Sequence, residues 1–462
     1  MPTPADILAL HQKQFREHPC PEVTSRLTRL GQLKEALLER ENEIREALWA
    51  DFQKPAPEVQ LTEITATLIE IDHAIRHLKR WTKPQRKKTP IYLIGTGTEV
   101  IYYPKGPSLI VAPWNYAILL TLGPVVHATA AGCPFVVKPS ENTPRAADLL
   151  KKLIESVYPP EEAAVFTGNA EIAQELLSLP FSHIHFTGST KVGKMVMEAG
   201  AKHLASVTLE LGGKSPTYVD STADLKSAAR GIGFGKFSNA GQTCIAPDYV
   251  LIEQTVIEGF LTELRKELEL QYGKGTSGVA GIVSRKHFER QREMINGAVE
   301  GGASIEYGGE MEENGHRIAP TVLTNVPADS ELMHEEIFGP ILPLISVSSE
   351  EEAIDKILSL PPPLSTYVFS RKKGVAKRFS RAIRTGAVCT NTTLIQFVQP
   401  FGPFGGEGNS GIGRSHGEAG FRAFSNEQVI LRRRWGAWIL HLIQPPYGSH
   451  TPILNRIFRW FT

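Results

Sequence analysis

The stretch HIHFTGSTKVGK, residues 183–194, decides the fold class. An apolar run of strand length ends at a glycine and passes directly into a helical segment, the strand–turn–helix step of a parallel α/β sheet. Working outward, SLIVAP (108–113), FVVKPS (135–140) and ASVTLEL (205–211) are apolar strands of the same kind, separated by helix-length segments. Together they predict a doubly wound sheet. The spacing Gly188-x4-Gly193-Lys194 also mimics a phosphate loop, although Met195 stands where a Ser or Thr would ligate Mg²⁺. A P-loop nucleotidase therefore stands as a rival enzyme class. His183 and His185 sit two apart and share a strand face, but no further ligand cluster accompanies them, and no metal site is expected.

A second α/β series runs through PTYVD (216–220), YVLIEQ (249–254), ILPLISV (341–347), TYVFS (366–370) and GAVCTN (386–391). Nearer the N-terminus, apolar residues at helical spacing from Leu27 to Leu48 predict one amphipathic helix, and Ile71 to Trp81 a second, ended by the Pro84–Pro90 region. IYLIGTGTEVIYYP (91–104) reads as a hairpin with its arms on either side of Gly-Thr-Gly. Gly231, Gly233 and Gly235 fall in a helical pattern and read as close packing. After Arg432-Arg433-Arg434 the chain becomes apolar and basic. WGAWILHLI (435–443) is far shorter than the roughly 20 residues of a membrane-spanning helix. PILNRIFRWFT (452–462) gathers Ile453, Leu454, Ile457, Phe458 and Phe461 on one helical face. This tail either touches a membrane surface or packs on its own protein or a partner subunit.

The chain's 462 residues suffice for roughly two to three domains. A hydrophobic content of 41% and a charged content of 21% mark a soluble globular chain, and a net charge of +1 gives no electrostatic reason to expect nucleic acid. Cys20, Cys133, Cys244 and Cys389 form no CxxC pair, so no disulfide framework is expected, and Cys389 should be packed within its strand. The N-terminus lacks the pattern of a secretory signal, and a cytoplasmic location follows as the expectation.

Two strings carry the chemistry. FSNAGQTC (237–244) ends in a cysteine, and a thiolate is the strongest nucleophile among side chains. TLELGGKSP (208–216) sets Glu210 between two leucines, where a charge is costly to bury without a task or partner. Nucleophile and base is the functional reading. The bland alternatives are a buried structural Cys244 and a Glu210 salt-bridged to Lys214.

PWNY (113–116), VVKPSE (136–141), FTGSTKVG (186–193), LELGGKSP (209–216), GQTCIAPDYV (241–250) and EEIFGP (335–340) occur in this order, with 34 positions between Glu210 and Cys244 (244 − 210). Taken together they resemble the aldehyde dehydrogenase superfamily over nearly the whole chain to about Phe424. The short N-terminus, GQTCIAPDYV and PFGGEGNSGIG (403–413) resemble its class-3, fatty-aldehyde branch.

That resemblance implies an α/β protomer with a Rossmann-like cofactor domain (1–88 and 104–208), a catalytic domain (209–390), a small β bridging element that joins subunits (89–103 and 391–425) and the tail (432–462). It implies a homodimer and oxidation of aldehydes, medium or long and apolar in this branch, to carboxylic acids with NAD or NADP. Cys244 would form a thiohemiacetal and then a thioester, Glu210 would activate the hydrolytic water, and Asn115 would share an oxyanion hole with the Cys244 backbone N–H. Lys138 and Glu141 would meet the adenosine ribose, Gly188, Ser189, Thr190 and Gly193 the pyrophosphate, and Glu336 and Phe338 the nicotinamide riboside. Two residues depart from the family pattern. Ala117 replaces a usual proline and would loosen the loop of Asn115; Glu407 stands near the expected substrate mouth where relatives are apolar. A silent binding protein of the same fold is the remaining alternative, against which the intact Cys244, Glu210 and Asn115 speak.

Overall fold

The computed structural model describes residues 2–90, 93–436, 444–445, 456 and 459. Its first sheet is entered at Ser108–Val111 and grows outward through Phe135–Lys138 to Ala163–Val165. The chain then returns to the other side of the first strand for His183–Gly188 and Ser206–Leu211, all in parallel. Most of these strand residues are buried, as expected for a sheet covered by helices on both faces. The reversal of strand order leaves a crevice at the carboxyl ends of Ser108–Val111 and His183–Gly188, where open parallel sheets bind ligands. A short antiparallel strand, Gly411–Ile412, closes the edge against Leu209 and Glu210. The strand Ser206–Leu211 therefore runs past the boundary expected at residue 208, and Glu210 belongs to the first sheet.

The second sheet has seven strands in the order Ser304–Tyr307, Thr321–Thr324, Ile341–Val347, Tyr249–Glu253, Pro216–Val219, Ser365–Phe369, Ala387–Thr390. All pairings are parallel except the first. Cys389 is buried in the last strand, as its sequence predicts. Gly233 and Gly235 lie in the helix Leu225–Phe237, and a Cβ on Gly235 would come within 2.4 Å of Thr393, which accounts for the glycine by packing.

Two expectations need correcting. The hairpin does not turn at Gly-Thr-Gly: Thr96–Pro104 is a single strand that passes through Gly97 and pairs antiparallel with Gln85–Lys87 and with Ser425–Arg433. The local partner is only three residues long, and the full-length one, Ser425–Arg433, lies more than three hundred residues away, beyond the reach of any local turn signal. The predicted helix from Leu27 to Leu48 is two helices, Val23–Glu39 and Glu41–Phe52, broken at Arg40. Leu37 and Ile44 stay in helical phase across the break, so periodicity could not reveal it; the Arg40 guanidinium caps the carbonyl of Ala36 at 3.1 Å. The predicted second helix is present within Ala66–Trp81. Among the described residues no helix is long and apolar enough to cross a membrane. The two tail segments fall outside the described residues, apart from Trp435, Gly436, Arg456 and Arg459.

Candidate active site

After the helix Leu225–Phe237, Asn239, Ala240 and Gly241 take left-handed conformations (φ 54°, 52° and 71°). Such residues cost about 1–3 kcal/mol each unless their surroundings fix them. Here they are fixed. Glu58 accepts the Asn239 backbone N–H at 2.9 Å, and the Asn239 amide donates to the Asn115 carbonyl at 2.9 Å. The Gln242 amide donates to Asn239 and Gly281 carbonyls, both at 3.0 Å, and accepts from Val283 N–H at 3.0 Å. A Cβ on Gly241 would lie 2.2 Å from the Gly339 carbonyl oxygen, so only glycine fits. The result holds Cys244 in place at the junction of two cavities.

Asn115 is brought to this loop: its Nδ2 donates to the Gln242 carbonyl at 2.9 Å, leaving the second N–H of the amide for a ligand. Tyr116 shares a hydrogen bond with Thr243 at 2.7 Å. Glu63 accepts the backbone N–H groups of Ile118 and Leu119, each at 3.1 Å, and pairs with the fully buried Lys54 at 2.7 Å. Ala117 is itself buried, and this anchoring keeps the Asn115 loop fixed without the proline.

Glu210 is buried at the end of its strand, and Ser415 donates to its Oε1 at 2.8 Å. Its Oε2 has no partner. Burial pushes the carboxyl up to about 8, against the opposing pull of Ser415 and Arg414. A salt bridge from Lys214 to Glu210 is excluded: Lys214 pairs with buried Asp248 and donates to the carbonyls of Leu332 and Glu335 at 2.7 and 2.9 Å. Burial, then the charges of Glu336 and Glu210, push the Cys244 thiol well above its ordinary value. Cys244 and Glu210 line a small cavity of about 40 Å³, and Cys244 also ends a larger one of about 240 Å³ walled by Leu61, Ile69, Leu119, Phe234, Leu394 and Val398 among others.

The expected cofactor residues gather at the crevice end of the first sheet. Lys138 ends its strand, buried, and is ion-paired with exposed Glu141. Ser189 caps the helix Thr190–Ala201 by accepting from Val192 N–H, and Thr190 donates to the Asn409 carbonyl at 2.8 Å. The expected loop from Gly188 to Gly193 is shorter than foreseen, because the helix starts at Thr190 and Gly193 lies within it. A Cβ there would strike Leu211 at 2.6 Å, so Gly193 serves helix–strand packing. This also removes the four-residue wrap that a P-loop needs. Glu336 has an Oε1 with no partner and a carboxyl pushed up to about 8 by burial and by Asp248. Arg290 fixes its segment through the carbonyls of Glu336 and Ile337 at 2.8 and 3.1 Å, and Phe338 meets Trp114 edge-on at 5.4 Å. A Cβ on Gly212 would fall 2.1 Å from Glu336 Oε2. Glu407 pairs with Arg384 at 2.6 Å and lines neither of the two cavities that reach Cys244. His183 and His185 do share a face, both against Phe424.

The sequence model of the aldehyde dehydrogenase family matches residues 7–430. The chain belongs to the aldehyde dehydrogenase family. This aldehyde dehydrogenase is 41% identical over 450 residues to the 4,4'-diaponeurosporen-aldehyde dehydrogenase of Staphylococcus aureus, covering 96% of this chain and 97% of that one. It is 38% identical over 444 residues to mouse aldehyde dehydrogenase family 3 member A2, covering 95% and 90%. The substrate-bound structure of Staphylococcus aureus AldH superposes with a TM-score of 0.95 at 38% identity, covering 99% of this chain and 100% of that chain. Enzymes of this family oxidise aldehydes and use NAD or NADP.

Sequence reasoning missed Ser415, Asn239, Gln242 and Glu63. Ser415 reaches Glu210 across 205 positions, and Glu63 sits unmarked in a helical run. Asn239 and Gln242 stood in the quoted motif, but only the folded loop shows that they lock it.

Proposed function

We propose that this dehydrogenase oxidises medium- or long-chain apolar aldehydes through Cys244. The observation that carries the reading is the apolar cavity of about 240 Å³ that reaches Cys244 and that Glu210 does not line. A burial of apolar chain worth about 0.8 kcal/mol per methylene favours long substrates there. The similarity to an enzyme named for a carotenoid aldehyde points the same way.

In this reading the Cys244 S–H bond breaks, its proton passing to water, as the sulfur bonds to the aldehyde carbon, and the Asn115 amide with the Cys244 backbone N–H holds the oxyanion. Glu210, neutral below about pH 8, takes a proton from water only in its ionised form, and the resulting hydroxide attacks the thioester. The residues fit a dinucleotide: the crevice has the strand order of such sites, the Ser189-capped helix presents its N-terminus, and Glu336 keeps an unpartnered oxygen. Lys138 and Glu141 would hold the ribose, Gly188, Ser189 and Thr190 the phosphates, and Glu336 and Phe338 the nicotinamide riboside. A nicotinamide ring held there supplies the hydride acceptor for oxidation at the sulfur-bound carbon. Glu141 would repel a 2′-phosphate, which favours NAD. The first sheet then serves as the cofactor domain and the second as the catalytic domain, and the long exposed edge of Ser425–Arg433 suits pairing in a homodimer.

The test is reduced-nicotinamide formation across aldehydes from propanal to dodecanal. kcat/KM should rise with chain length; a flat or falling series overturns the substrate class.

A further inference from the structure

The cavity of about 40 Å³ beside Cys244 contains polar groups that this chemistry leaves unused. Glu70, His127 and His185 line it together with Glu210 and Cys244. His127 lies on the helix Leu119–Ala131, and its Nε2 is 2.7 Å from Glu70 Oε1, which also accepts the Gly417 N–H at 2.6 Å. Burial works to raise the Glu70 carboxyl, but the His127 hydrogen bond and further neighbours hold it down at about 2. With Glu70 Oε1 accepting the Gly417 N–H, His127 Nε2 is the donor to it, and in the neutral imidazole Nδ1 is then a lone-pair acceptor. This Nδ1 is buried without a partner, and the same is true of His185 Nδ1 and Glu210 Oε2. Three unpartnered polar atoms belong to residues around one cavity, whose volume exceeds the roughly 10–15 Å³ a water molecule needs.

We propose that Glu70 and His127 form a carboxylate–imidazole dyad that receives, through water in this cavity, the proton Glu210 takes during thioester hydrolysis. The inference rests on the roles given above to Cys244 and Glu210. In the step, an O–H bond of the hydrolytic water breaks as its oxygen bonds to the thioester carbon. The C–S bond then breaks and its electron pair returns to the Cys244 sulfur. The proton passes from Glu210 through the cavity water to His127 Nδ1, restoring the Glu210 carboxylate, and Glu70 stabilises the imidazolium. The proton then leaves to the Cys244 thiolate or to solvent. His185, on the strand paired with that of Glu210, would offer its unpartnered Nδ1 to the same water. The arrangement separates two bases: one meets the substrate, and the other clears the proton.

The test uses cofactor-free protein and 4-nitrophenyl acetate, an activated ester that acylates a thiol directly. In stopped flow, the nitrophenolate burst reports acylation and the later steady rate reports hydrolysis. His127→Gln should keep the burst and slow the steady rate about tenfold to a hundredfold, the lower range of proton-transfer effects. In His127→Ala, added imidazole should restore the steady rate. Glu70→Gln should slow the same step by a smaller factor, and it decides the matter if the His127 variants do not fold. A steady rate within twofold of native in a folded variant, or loss of burst and steady rate together, overturns the dyad. Absence of a burst in the native protein would instead contradict the role of Cys244.

Discussion

Two cavities that differ in their buried polar groups meet at Cys244. The larger, about 240 Å³, is walled almost wholly by aliphatic and aromatic side chains; the smaller, about 40 Å³, shares much of that apolar wall but also takes in Glu70, His127, His185, Glu210 and His416. In the proposed reaction the larger one would order a substrate chain by burial. The smaller one is lined by residues with buried unpartnered atoms, His127 Nδ1, His185 Nδ1 and Glu210 Oε2, which in that reaction would exchange protons. Cys244 lines both, Ile395 and Phe234 only the larger, and Glu70 and His127 only the smaller, so substrate length and proton handling can be altered through different residues. That separation is what mutation should expose.

The largest effect should come from removing the shared residue. Cys244→Ala is expected to lower kcat/KM for decanal by roughly 10⁴ or more and to abolish the ester burst, since both cavities lose their meeting point. Next comes the base of the polar side. Glu210→Gln should lower hydrolysis by about 10²–10⁴ while leaving the acylation burst. Only the ionised carboxyl accepts a proton, and burial sets that carboxyl at about 8, so the native steady rate should climb with pH through about 8 and level above it. In Glu210→Gln this limb should vanish.

On the apolar side, Ile395→Asp places a charge at an exposed point of the cavity wall. Decanal kcat/KM should fall about tenfold with propanal within about twofold, the loss of roughly one buried aliphatic contact. A matching loss for both aldehydes would erase the distinction between the cavities. The smallest expected effect lies outside both. Glu141→Gln should shift the NADP-to-NAD ratio of kcat/KM about two- to fivefold toward NADP, in keeping with an exposed charge, and leave the chain-length series unchanged.

The two cavities also differ in how far the sequence reveals them. Most strands of the two large sheets announced themselves as short apolar runs, although Ser304–Tyr307, Thr321–Thr324 and Gly411–Ile412 did not, and Cys244, Glu210 and Asn115 came with motif strings at fixed spacing. Ala163–Val165, with three small residues, carried no such signal. The wall of the polar cavity comes from a helix, a second helix, two strands and the glycine-rich segment, so its members are scattered through the chain. His127 reads as one polar residue in an apolar helix, and His185 as an ordinary strand histidine. Only folding sets Glu70 against Nε2 and leaves Nδ1 unpartnered. Gly193 taught the reverse lesson, since a glycine in a phosphate-loop spacing proved to be a packing glycine against Leu211.

The most direct test of the central claim is rapid acid quench of Glu210→Gln after mixing with decanal and NAD, followed by mass spectrometry of its peptides. A decanoyl group on the peptide containing Cys244, accumulating to about one per chain, is the predicted result, because acylation proceeds and hydrolysis is slowed. Continued NADH formation with Cys244 unmodified, or an acyl group on another residue, would contradict the account.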